Sequence, residues 1–183
     1  MNEISLPQLL IIAGTGRNTG KTTLACNIIR KCSSLKSIFA IKITPHFHEN
    51  IQSREVIADN ENYYIAEETD FVARKDSSLM LNAGALKSYF VMVKDEYVRE
   101  AFSEILKLIP SDTILICESG GLRKSVTPGL FLMMRNTETI SFKHGTESLM
   151  QIADRIITFD GENIDFDFNT VEITDNRWTL KQI

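Results

Sequence analysis

LLIIAGTGRNTGKTT, residues Leu9 to Thr23, is the stretch that decides the fold. Leu9 to Ile12 make an apolar run long enough for a buried strand. Ala13 to Gly20 give a small, polar loop with three glycines. Lys21, Thr22 and Thr23 open a stretch with helical spacing. Strand, glycine-bearing loop, Gly-Lys-Thr and helix, in that order, predict a phosphate-binding P-loop.

Each residue type has a reason to be there. Gly14, Gly16 and Gly20 let the backbone turn its N–H groups inward without Cβ clashes. Those groups and the positive end of the helix would cradle phosphate oxygens. Lys21 would bring a point charge to the β- and γ-phosphates, and Thr22 a hydroxyl to Mg²⁺. Gly16, Arg17, Asn18, Thr19, Gly20, Lys21, Thr22 and Thr23 are therefore the nucleotide-binding candidates, although Thr23 reads more as a helix-start residue. The usual pattern has glycine five residues before the glycine of Gly-Lys-Thr; here that position is Thr15, and Gly14 lies one residue earlier.

Downstream, Leu24, Ala25, Ile28, Ile29 and Cys32 share one face of a helix over Thr22 to Cys32. Ile38 to Ile43 reads as the second strand, so a right-handed parallel crossover is expected. Lys42 interrupts that strand, and His46 and His48 follow it. Loops after strand C-termini line the ligand crevice of a parallel sheet. That placement makes Lys42, His46 and His48 candidates for a second ligand. A two-histidine zinc site has only His144 as a third histidine, and a polar loop is the simpler reading.

Residues 50 to 62 are polar and carry no clear period. Tyr63 to Ala66 reads as a short strand. Asp76 or Ser77 is placed to cap a short helix through Asn82, and Lys87 to Val93 reads as a strand. Lys75 and Asp76 join the second-ligand candidates. Asp95 to Ile109 has the clearest helical period, with Asp95 as its cap and Pro110 as its stop. Thr113 to Cys117 is a buried strand by composition, and it ends in Glu118 before Ser119-Gly120-Gly121. An acid at such a strand end is what a P-loop fold uses to hold Mg²⁺ or a catalytic water. Lys21 and Glu118 are thus the catalytic candidates, and Thr22 and Glu118 the metal pair.

Leu130 to Met134 reads as another buried strand, and Asn136 just after it is a nucleotide-binding candidate by analogy with related sheets. Thr146 to Ala153 reads as a helix and Ile156 to Phe159 as a strand. In the tail, Ile164, Phe166 and Phe168 alternate with acids, as do Val171 and Ile173 with polar residues. That period predicts a strand-rich, antiparallel appendage over 164–182, turning at Asp175-Asn176. Its exposed edge is a candidate homodimer contact.

The bulk numbers bound the answer. A chain of 183 residues with 43% hydrophobic and 24% charged residues fits one domain, 1–183, with a good core. A net charge of −4 argues against general nucleic-acid binding. No apolar run reaches membrane-spanning length, and MNEISLPQ has no signal-peptide core, so a cytoplasmic location is expected. Cys26, Cys32 and Cys117 lack metal-ligand spacing and read as buried free thiols. The expected fold is α/β: a three-layer P-loop NTPase with a mostly parallel sheet and an antiparallel C-terminal appendage.

IAGTGRNTGKTT resembles the P-loop of dethiobiotin synthetase and the cobyrinate amidases, where a Gly-Thr pair also precedes Gly-Lys-Thr. Farther along, the chain resembles the molybdopterin-guanine dinucleotide biosynthesis protein B (MobB) family. Ile41 and Lys42 match its Ile-Lys-His strand end, with Ile43 in place of the first histidine; His46 and His48 match the later ones. Arg74-Lys75-Asp76-Ser77 leading to Ala83-Gly84-Ala85 matches its Gly-Lys-Asp-Ser and Ala-Gly-Ala, with Arg74 for the glycine. Glu118-Ser119 stands for its Glu-Gly. The resemblance reaches to about residue 160. It implies a nucleotide-binding accessory protein with slow GTP or ATP hydrolysis, dependent on Mg²⁺, that serves molybdenum cofactor biosynthesis beside a molybdenum-cofactor enzyme or a nucleotidyltransferase. Neither Asn-Lys-x-Asp nor Thr-Lys-x-Asp occurs, so the base stays open. Two alternatives stand beside it: an ATP-dependent small-molecule ligase or kinase of dethiobiotin synthetase type, and a non-enzymatic partner protein switched by nucleotide.

Overall fold

The computed structural model describes residues 4–47, 54–72, 74–137 and 145–181. The apolar run Leu9–Ile12 lies within a longer strand, β1 (Ile4–Gly14), which a short loop joins to helix α1 (Lys21–Cys32). Strand β2 (Ile38–Thr44) returns parallel to the interior of the sheet. Then come β3 (Arg54–Asp59), β4 (Tyr63–Glu68), α2 (Asp76–Asn82) and β5 (Lys87–Val93). Helix α3 (Val98–Leu106), β6 (Ile114–Glu118), β7 (Val126–Asn136), α4 (Thr146–Gln151) and β8 (Arg155–Phe159) complete the main body. A hairpin of β9 (Val171–Thr174) and β10 (Arg177–Leu180) ends the described chain.

The eight-stranded sheet runs β3-β4-β5-β2-β6-β1-β7-β8. Every pair from β5 across to β8 is parallel, while β4 pairs antiparallel with both β3 and β5. The central strands are covered on both faces, which is why they read as unbroken apolar runs rather than alternating ones. On one face, Leu24, Ile28 and Ile29 of α1, Met80 of α2 and Trp178 of the hairpin pack with Leu10, Ile12 and Ile116 of the sheet. On the other, Ala101, Phe102 and Ile105 of α3 and Leu149 of α4 pack with Leu9, Ile11 and Cys117. Among the described residues no helix is long and apolar enough to cross a membrane.

Several boundaries differ from expectation. Residues 54–59, which carry no clear period, form the edge strand β3 with Val56 and Ile57 exposed; an edge has no second apolar face to enforce alternation. Asp95 does not cap a long helix: Asp95–Tyr97 form a 3₁₀ turn, α3 begins at Val98 without a side-chain cap, and it stops at Leu106. Ile164 and Phe166 make no strand. One bridge joins Phe159 to Ile164, and Phe168–Thr170 form a 3₁₀ turn, because these side chains pack sideways against the α1 face.

The β9–β10 hairpin does form, and Asp175 (φ 49°) and Asn176 (φ 59°) supply the two left-handed residues its tight turn needs. It lies on the sheet's face, as a separate two-stranded sheet, and does not extend the eight-stranded edge. Trp178 is fully buried there and donates its indole N–H to the Leu115 carbonyl at 2.8 Å.

Candidate functional site

The C-terminal ends of β1, β2, β5 and β6 open on one crevice of about 920 Å³. Parallel strands aim their ends the same way, so residues far apart in sequence converge there. The loop between β1 and α1 forms its floor. Gly20 closes that loop with φ 77°, the left-handed conformation an L side chain enters only at a cost, and its carbonyl accepts from Leu24 N–H. A Cβ at Gly14 would collide with the Thr19 hydroxyl and lie 2.9 Å from Lys21 Cδ. Gly14 therefore makes room for the lysine stem.

The other left-handed residue of the loop is Asn18 (φ 53°), not Gly16. Gly16 lines the crevice, and a Cβ there would meet nothing within 4 Å. Sterics thus do not require glycine at 16, contrary to the expectation that all three glycines are needed. Thr15 is buried, its N–H donates to the Met134 carbonyl at 2.9 Å, and it does not line the crevice. Its hydroxyl has no hydrogen-bond partner among the described residues.

Lys21 folds over the loop it follows, donating to the Gly16 carbonyl at 2.7 Å and to Thr19 Oγ1 at 3.0 Å. Beside it sits a four-residue cluster. Thr22 Oγ1 lies 2.6 Å from Glu118 Oε2 and 3.0 Å from Asp76 Oδ1. Lys42 Nζ lies 2.5 Å from Glu118 Oε1 and 2.6 Å from Asp76 Oδ2. Lys42 thus bridges one oxygen of each carboxylate, while the single Thr22 hydroxyl hydrogen faces the other oxygen of both and is closer to Glu118. Burial of Lys42 disfavours its charge, but Glu118 and Asp76 outweigh that and hold its pKa above the ordinary value. Burial pushes the Asp76 carboxyl up, and the charge and hydrogen bond of Lys42 together with Thr22 bring it below the ordinary carboxylate range.

Asp76 reaches the cluster because of how α2 begins. Neither Asp76 nor Ser77 caps that helix: the cap position is Lys75, extended and without a side-chain cap bond. Asp76 is the first helical residue and turns into the crevice, while Ser77 turns the opposite task on β4, donating to Glu68 Oε2 at 2.6 Å. Glu68 is also ion-paired with Arg54 at 3.0 Å, both side chains being almost fully buried, and the Arg54 guanidinium lies 3.8 Å from the Phe90 ring centre. Consecutive side chains thereby pin α2 between the crevice and the β3–β4 end of the sheet.

On the rim, Arg17 donates to His46 Nε2 at 3.1 Å, which joins the β1–α1 loop to the segment after β2. Arg17, Asn18, Thr19 and Thr23 all line the crevice, as do Lys42, His46 and Asp76. Lys75 is half-buried and does not. Asn136 ends β7 outside the lining, though its amide lies 3.4 Å from the Asn18 carbonyl. His48 and His144 lie outside the described residues.

The far wall holds residues that the sequence does not assign to the site: Asp95, Val98, Lys124 and Thr146, with Leu149. Asp95 and Lys124 follow β5 and β6 by a few residues, a position that could have flagged them. Ser119 Oγ accepts from the Gly121 and Leu122 N–H groups and fixes the turn that carries Lys124. Among the described residues no group of three or more His, Cys, Asp or Glu side chains is arranged to hold a metal. All three cysteines are buried; burial raises the Cys26 thiol to about 11 and shifts Cys32 and Cys117 upward too, so none is a poised nucleophile.

Comparison with protein-family models, with curated proteins and with solved structures finds no match to this chain.

Proposed function

We propose that the protein binds a nucleoside triphosphate with Mg²⁺ on the β1–α1 loop, which acts as a P-loop, and hydrolyses it slowly. The single observation that carries this is the convergence of Lys21, Thr22, Lys42, Asp76 and Glu118 at one strand-end crevice beside a glycine-closed loop that opens a helix. Thr15 in the first glycine position does not oppose it, since Thr15 does not line the crevice.

The donor set suits Mg²⁺: a hydroxyl and two carboxylates, oxygen only, already holding a cationic ammonium between them. Thr22, Asp76 and Glu118 would hold the ion, and bound Mg²⁺ would draw charge from the β- and γ-phosphate oxygens. Lys21 would leave the Gly16 carbonyl for phosphate, a neutral acceptor for a charged one. Lys42 supplies a second cation at the same wall. The Arg17–His46 contact would hold the rim over the phosphates.

The resemblance to MobB supplies the pathway part of the reading, an accessory role in molybdenum cofactor biosynthesis. The crevice also extends past the loop to Asp95, Lys124 and Thr146, which leaves room for a phosphoryl acceptor and favours, as second reading, a small-molecule ligase or kinase. A thermal-shift titration with ATP and with GTP, each with and without Mg²⁺, tests the proposal, because a ligand of the native state raises the melting temperature by mass action. A Mg²⁺-dependent rise is expected. A rise with GTP alone supports the MobB-like reading, and one with ATP alone the ligase or kinase. No rise with either nucleotide overturns nucleotide binding.

A further inference from the structure

We infer that Lys42 is a tethered counter-ion that holds the seat of the divalent cation until phosphates arrive, so that metal and nucleotide bind as one coupled event. The inference rests on the Mg²⁺–nucleotide reading and adds a regulatory role for one residue of that site.

The geometry is a competition for oxygens. Lys42 Nζ takes Glu118 Oε1 at 2.5 Å and Asp76 Oδ2 at 2.6 Å, while the Thr22 hydroxyl lies 2.6 Å from the other oxygen of Glu118. Both carboxylates are thus bound to Lys42 before any metal enters. A divalent ion that seats itself while Lys42 stays would put two cations within a few ångströms, on carboxylates whose charge one of them already offsets. The lysine must move, and it is a buried ammonium, only 14% exposed at its side chain, so it needs another anion to move to.

The free protein also offers few ligands of its own. Mg²⁺ takes six oxygens, the cluster supplies three side chains, and water would fill the rest of the shell until phosphate oxygens replace it. A triphosphate answers both: its charged oxygens would replace water around the metal, and its charge would receive Lys42 on the wall that Lys21 shares. Metal without nucleotide answers neither. Bare metal binding should therefore be weak in the wild type because Lys42 is present, and it should strengthen when Lys42 loses its charge.

The test is Mn²⁺ titration of the whole protein, with free Mn²⁺ counted by electron paramagnetic resonance, in the wild type and in Lys42→Met. It is run alone and with the β,γ-imido analogues of ATP and GTP. Lys42→Gln is the second variant, and each protein's melting curve with and without Mn²⁺ shows that it is folded. The expected result is bare-Mn²⁺ affinity at least about tenfold higher in the variants. The analogue should tighten Mn²⁺ strongly in the wild type and less in the variants. Equal bare-Mn²⁺ affinity in wild type and both variants overturns the inference, whatever the nucleotide does. Failure of the analogues to bind the wild type overturns the nucleotide reading instead, and is seen as a loss of free Mn²⁺ no greater than the analogue causes without protein.

Discussion

Gly20 carries more than its lack of a side chain suggests. It holds φ 77°, and a Cβ there would sit 3.0 Å from Phe159 Cγ. Gly20→Ala should destabilise the protein by about 1–2 kcal/mol from backbone strain alone, read by urea unfolding. It should also weaken nucleotide binding, since the strain would relax by turning the loop's N–H groups. That Lys21, Thr22 and Glu118 meet at one crevice was legible in the sequence, because strand and helix ends place them there. Asp76 was legible as a crevice residue but misread as a helix cap: the residues of a capping pattern and of an inward-facing first turn are the same letters. Thr15 departs from the usual glycine of the loop, yet it is buried, bonded through its N–H to the Met134 carbonyl, and does not line the crevice.

At the scale of elements, α2 depends on a buried pair that pattern could not show. Glu68 accepts from Ser77, from the Asp70 N–H and from Arg54. Burial raises its carboxyl pKa, but those donors outweigh burial and leave it below the ordinary 4.5. A carboxylate whose native pKa is depressed adds stability above its unfolded value and loses it as pH falls through the native one. Stability from Glu68 should therefore be full at neutral pH and decline below about pH 4.5. Glu68→Gln should cost about 1–3 kcal/mol at pH 7, because it takes the carboxylate charge out of the buried Glu68–Arg54 pair. It should also flatten the acid limb of a stability–pH profile; a limb unchanged by the substitution would show that Glu68 is not its source. Arg54 lay in a stretch without a period because β3 is an edge strand, and its partner is 14 residues away, across a hairpin.

The hairpin teaches the complementary lesson. Its turn and its two short strands were readable from Asp175-Asn176 and the alternation around them. Where it docks was not, because alternation marks one apolar face without saying what that face meets. The meeting point is the α1 side of the sheet, and Trp178 fixes it through Leu115. Trp178→Phe keeps most of the apolar volume but removes that hydrogen bond. A loss of about 0.5–1.5 kcal/mol in chemical denaturation is expected.

Across the whole molecule, β1, β2 and β6 lie side by side, so the loop after β1, Lys42 and Glu118 share one end of the sheet. The alternating-layer order was readable from apolar runs separated by amphipathic helices, and it determined which residues meet. The far wall was not readable, since Asp95 and Lys124 belong to short 3₁₀ turns and Thr146 opens α4, and how these meet depends on packing remote in sequence. The measurement that tests the central claim most directly is calorimetric titration of ATP and GTP, with Mg²⁺, into the wild type and Lys21→Ala. Saturable binding of at least one nucleotide by the wild type and its loss in the variant is the predicted result. Heat-silent titrations of the wild type, or equal affinity in the two proteins, would contradict it.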